Sequence, residues 1–187
     1  MGLFDRLRGD DDPRVVFLGI DGVPYDLIDD HPDVFEHLHR IADAGTAGRI
    51  DSIVPPESSA CWPSLTTGVN PGKTGVYGFQ DREVGSDETY VPMGSHVRAT
   101  RVWDRVTAAG RDATVLNVPV TFPPQESVQR MVFGFLSPSV EAASSGAPVQ
   151  ATLESYDYRI DADAKLGHDH HKLAFLENAH ATLRYRL

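Results

Sequence analysis

The first position able to do chemistry is an aspartate that follows a run of β-branched and aromatic residues. Val15-Val16-Phe17-Leu18-Gly19-Ile20 ends at Asp21-Gly22, and open α/β sheets bind their ligands at the carboxyl ends of strands. Asp21 is therefore a candidate metal ligand, against the plainer alternative of an Asp that caps the turn or the next helix. The second position is a pair of hydroxyls, Ser58 and Ser59, at a strand-to-helix turn. Backbone N–H groups at a helix start can receive an anion. A hydroxyl there becomes a nucleophile only when something lowers its pKa, and a metal ion bound by Asp21 would do so. Position alone leaves an ordinary N-cap serine open.

Three further groups invite a chemical reading. Gly72-Lys73-Thr74 looks like the end of a phosphate-binding P-loop, but that motif requires Gly where Thr67 stands. Pro71 and Gly75 also disfavour a helix beginning there. Gly167-His168-Asp169-His170-His171 gathers ligand-type residues that a first-row metal could bind weakly. Nothing close in sequence aims that cluster at Asp21, so a solvated loop is the reading for His168 to His171. Cys61-Trp62-Pro63-Ser64-Leu65 is similar to the sulfatase motif, but that motif needs Arg where Leu65 stands. Cys61 is read as a small packing residue.

The elements that must position these groups follow from periodicity. Residues 1–13 form a short charged leader ending in Asp10-Asp11-Asp12-Pro13, and residues 14–187 form one domain. The run 15–20 predicts a strand buried on both faces. Val34, Leu38, Ile41 and Ala42 recur at helical spacing over 32–44, and Gly45 stops that helix. Residues 48–54 alternate like a strand that Pro55-Pro56 ends, before a loop and a short helix. A helix over 102–109 stopped by Gly110, strands over 113–118 and 131–136, a small-residue loop over 137–151 and a helix over 172–187 complete the reading. Strand, helix, strand order predicts an α/β fold, a three-layer sandwich with a mostly parallel central sheet.

Composition bounds the partners. The 187 residues carry 27 acidic against 17 basic side chains, a formal charge of −10, so bulk charge argues against nucleic acid or an anionic membrane. The single cysteine excludes an intramolecular disulfide. No apolar run approaches a membrane span and no signal peptide is visible, which together predict a cytoplasmic protein.

The motifs taken together resemble a known family. Gly19-Ile20-Asp21-Gly22, a hydroxyl residue ten positions before Gly68, and Asn70-Pro71-Gly72-Lys73-Thr74-Gly75 are similar to the type I phosphodiesterase and nucleotide pyrophosphatase branch of the alkaline phosphatase superfamily. Arg101-Val102-Trp103-Asp104, the stretch Val115 to Pro124, and Gly134-Phe135-Leu136-Ser137-Pro138 match downstream segments of that branch in the same order. The resemblance implies a metal-dependent hydrolase of small phosphoesters. It implies Ser58 as nucleophile and ligand, Asp21 as ligand, and two divalent ions, zinc or manganese, about 4 Å apart. In the family Thr74 is often His and Ala60 often Pro, which weakens any substrate assignment. The family's remaining ligands belong to a second half that should follow the last helix, so the chain is expected to be a truncated alkaline-phosphatase-like domain. It would have little activity alone, and Leu173, Leu176, Ala179 and Leu183 would face a missing half or a second copy. The rival expectation is a truncated, inactive paralogue acting as a binding or structural subunit.

Overall fold

The computed structural model describes residues 14–123, 125, 127–134, 137, 139–162 and 172–186. The leader over 1–13 and the His168 to His171 cluster lie outside the described residues. The chain divides after Ile50 into two compact units.

In the unit before residue 51, two short helices are the regular elements. α1 (Tyr25–Asp30) and α2 (Glu36–Ala44) are linked by His39, whose Nε2 donates to the Ile28 carbonyl at 2.9 Å. The α2 prediction holds, with a later start because the His31 carbonyl accepts the Val34 and Phe35 N–H groups in a turn. Gly45 ends it as expected, its N–H bonded to Ala42. The predicted strand over 15–20 is not formed: the segment is in no ladder, Val15 is 89% and Leu18 73% exposed. A strand needs a hydrogen-bonding neighbour, and no other strand occurs among the described residues of this unit. The predicted strand over 48–54 is likewise absent, with Ile50 and Val54 exposed.

The unit from residue 51 onward holds the core. α3 (Ser58–Thr67) ends at Gly68 in the left-handed region with φ 74°, the geometry glycine adopts without penalty. α4 (Pro71–Thr74) is a single turn. Proline is tolerated at its first position, where no N–H is needed, so the sequence argument against any helix here holds only for a long one. A hairpin pairs β1 (Asp81–Arg82) with β2 (Thr89–Tyr90) antiparallel, and a 3-10 turn follows at Gly94–His96.

α5 (Val102–Ala108) leads through Gly110, φ 74°, into β3 (Thr114–Val118). β3 lies parallel to β4 (Arg130–Phe133), with Val115 opposite Met131 and Leu116 opposite Val132. The register slips between Leu116 and Val118, where Asn117 takes φ 58°. Trp103 of α5 packs with Val115, Val128, Met131, Phe133 and Ala143 in the core cluster. The expected parallel pairing is seen in this pair, but among the described residues no helix lies between β3 and β4, so the strand, helix, strand order is not reproduced. β3 is covered on one face only, since Leu116 is exposed.

α6 (Ala147–Ser155) corrects the loop predicted over 137–151: Gly146 at φ 79° and Pro148 near its start form the entry, a helix signal that the small residues obscured. α7 (Lys172–Arg186) is present as predicted. Leu173, Leu176 and Leu183 are exposed on it, while Thr182 is buried. The protein is thus mixed α/β, with two two-stranded sheets among the described residues.

Candidate active site

Asp21 lies in an exposed turn, followed by Gly22 at φ 70°. That conformation suits glycine and re-aims the chain toward α1. In the same unit, Arg49 pairs with Asp26 at the start of α1, and its guanidinium lies 5.2 Å from the centre of the Tyr25 ring.

Ser58 lies in the other unit as the first residue of α3. Glu57 is the N-cap, and its carbonyl accepts from Ala60 at 3.0 Å and Cys61 at 2.8 Å. The helix then sorts its own hydroxyls. Ser64 donates to the Ala60 carbonyl at 2.8 Å, Thr66 to Trp62 at 2.8 Å and Thr67 to Pro63 at 2.7 Å. Such back-bonding occupies a hydroxyl within its own helix. Ser59 is buried, whereas Ser58 is half-buried at the helix start. Cys61 is also half-buried, with Sγ 3.8 Å from Ser52 Oγ.

The P-loop-like residues are disposed against phosphate binding. Thr74 is fully buried, its hydroxyl donating to the Pro71 carbonyl at 3.4 Å and accepting from the Val76 N–H at 3.3 Å. Lys73 is exposed on the single turn of α4.

A cleft of about 560 Å³ that the sequence reasoning missed opens beside the hairpin, between Arg82, Glu83, Glu88, Tyr90, His96 and Arg98. His96 accepts the Met93 N–H on Nδ1 at 2.8 Å, which leaves Nε2 to carry the proton of the neutral ring. The ring lies 4.8 Å from that of Tyr90. Arg82 is held by Asp87 and donates through Nε to the Ser86 carbonyl at 2.8 Å. Gly85-Ser86 between polar residues was the available turn signal for this hairpin.

Arg101 ties the turn at Gly94 to the segment at Val120. It is 2% exposed and donates through Nη2 to the Gly94 and Val120 carbonyls, each at 3.0 Å. Loss of water around the guanidinium lowers its pKa, opposed by the nearby Asp104 carboxylate. Among the described residues no group of three His, Cys, Asp or Glu side chains is placed to hold a metal ion. None of the helices there is long and apolar enough to cross a membrane.

A family model for type I phosphodiesterase / nucleotide pyrophosphatase matches residues 15–184. The chain belongs to that family. The match spans the segments on which the resemblance rested, from the run before Asp21 to the last helix, and includes Ser58 and Ser59. No curated protein and no solved structure matches the chain. Membership in the type I phosphodiesterase / nucleotide pyrophosphatase family supports a hydrolase of phosphoester or pyrophosphate bonds in small molecules.

Proposed function

We propose that the chain supplies the nucleophile of a phosphodiesterase or nucleotide pyrophosphatase: Ser58 attacks phosphorus, and Asp21 is a ligand of a divalent cation, zinc or manganese. The observation that carries Ser58 is its place and exposure: it is the first residue of α3 and half-buried, whereas its neighbour Ser59 is buried. Ser58 is left at the solvent boundary of the helix start, in a family that acts on phosphoesters. Further, β3 and β4 are proposed as part of the mostly parallel central sheet of a three-layer sandwich.

A carboxylate and a hydroxyl oxygen are suitable donors in type, but a catalytic divalent site takes about three protein ligands. Asp21 and Ser58 do not make that number, and the described residues hold no group of three. When bound, a cation at such a site lowers the pKa of an attacking hydroxyl and offsets charge on the phosphoryl group. The covalent chemistry belongs to Ser58. Its Oγ forms a bond to phosphorus as the bond to the leaving oxygen breaks, the leaving group departs with the electron pair and takes a proton from water, and the Ser58 proton passes to solvent. Water then cleaves the phosphoseryl ester and restores the hydroxyl.

The test is turnover of a chromogenic phosphodiester with zinc or manganese, together with mass-spectrometric detection of phosphoryl-Ser58 after acid quench. Both signals should vanish in Ser58→Ala. Turnover retained in that variant defeats the assignment. Absence of both signals from the unaltered chain favours the inactive paralogue, and micromolar ATP binding lost in Lys73→Ala would favour a P-loop protein.

A further inference from the structure

Glu57 has the backbone role of an N-cap without the usual side-chain role. N-cap side chains ordinarily accept N–H groups of their own first turn; the Glu57 carboxylate makes no such cap. It reaches across the sequence instead, and Oε1 accepts the Phe79 N–H at 2.9 Å. The neighbouring Gly78 is shaped to this contact. A Cβ on Gly78 would fall 2.7 Å from Glu57 Oε2, so a side chain there would have to push the carboxylate away from its present position.

The loop that Glu57 grips is itself closed. Asp81 is 7% exposed, and its Oδ2 accepts the Tyr77 N–H at 3.0 Å. The turn before it is tied to the chain just past the 3-10 turn, since the Arg98 N–H donates to the Thr74 carbonyl at 2.9 Å. A preformed loop over 77–81 is therefore fastened to the first turn of α3 by one hydrogen bond from a backbone N–H to the Glu57 side chain. On the other side, the Glu57 carbonyl is locked by two helix N–H groups. The residue next in sequence is Ser58.

We propose that Glu57 is a positioning residue: by clasping the Gly78-Phe79 backbone it fixes the start of α3 and hence the direction in which Ser58 presents its hydroxyl. This rests on Ser58 being the nucleophile. Glu57 itself touches no substrate in this account, and its charge is not required, only an acceptor oxygen of the right reach.

The experiment uses the whole chain and the variants Glu57→Ala, Glu57→Gln and Gly78→Ala. Two quantities are measured: hydrogen exchange of the Phe79 amide, and the rate at which a fluorophosphonate probe is captured on Ser58, mapped by peptide mass spectrometry with Ser58→Ala as blank. In Glu57→Ala and Gly78→Ala, Phe79 exchange should rise and Ser58 capture should fall, each about tenfold, the scale of one lost hydrogen bond. Glu57→Gln keeps an acceptor and should stay within about threefold of the unaltered chain on both. If Glu57→Ala does not fold, Gly78→Ala and Glu57→Gln still separate the outcomes. Faster Phe79 exchange with unchanged Ser58 capture would reduce the clasp to a structural staple and overturn the proposal. Capture lost in Glu57→Gln with Phe79 still protected would mean that the carboxylate acts chemically, which also overturns it. If the unaltered chain shows no capture at Ser58 while Glu57→Ala still frees Phe79, the nucleophile assignment is what fails, and the positioning role falls with it.

Discussion

Two apolar segments of similar composition have opposite fates in this protein. Val15 to Ile20 and the β3–β4 pair are both rich in Val, Phe and Leu or Met. In the second pair Met131 and Phe133 are fully buried; in the first Val15 is 89% exposed. The difference is not hydrophobicity. β3 and β4 have each other for backbone hydrogen bonds, and Trp103 and Ala143 for side-chain contacts. The run before Asp21 has neither a strand partner nor a buried neighbour within the described residues of its own unit. An apolar run states a demand for burial, and a neighbour of matching register has to meet it.

The largest effect expected from this contrast is at its buried end. Phe133→Ala should destabilise the unit after residue 50 by about 3–5 kcal/mol through lost transfer energy and a cavity, measured as a shift in urea midpoint. A loss below about 1 kcal/mol would mean that the core is not packed around β4.

Next in size is the close approach of Gly94 to the 121–122 backbone. A Cβ on Gly94 would lie 2.9 Å from the Thr121 carbonyl oxygen and 3.0 Å from that of Phe122. Both neighbours are backbone and cannot swing away, so Gly94→Ala should cost about 1–3 kcal/mol by the same measurement. An unchanged midpoint would show that the 94–96 turn is not held against the 120–123 segment.

The smallest effects should come from the unit before residue 51. Arg49→Ala removes an exposed pair with Asp26 and a contact with Tyr25, together about 1 kcal/mol or less and weaker still in salt. Leu18→Ala should change stability by no more than about 0.5 kcal/mol, since the side chain is 73% exposed. A loss of several kcal/mol at Leu18 would show that the run is buried in the folded protein, as a central strand requires, and would erase the contrast.

Much of the fold is legible where punctuation and periodicity agree. Gly45 and Gly110 mark helix ends that the structure confirms, and the 102–118 helix and strand were readable because the pattern changes from helical spacing to a β-branched run at Gly110. α1 and the hairpin were missed: six residues after Pro24 are too few for a periodic signal, and strands of two residues have no alternation to detect. α6 was hidden because alanine and serine serve loops and helices alike.

For the site, residue order alone identifies the family, because that depends on ordered local motifs matched over 15–184, and it named Asp21 and Ser58 as the residues to consider. It left Ser58 and Ser59 equivalent on position alone. The count of ten positions back from Gly68 in the family resemblance singled out Ser58; what the tertiary structure adds is that Ser59 is buried and Ser58 half-buried, which depends on what packs against α3. The tertiary structure also decided that Glu57 reaches Phe79, 22 positions away, and that Arg82, Tyr90, His96 and Arg98 share one cleft. Contacts of that kind are set by the path of the backbone in space, which no local pattern of residue types encodes.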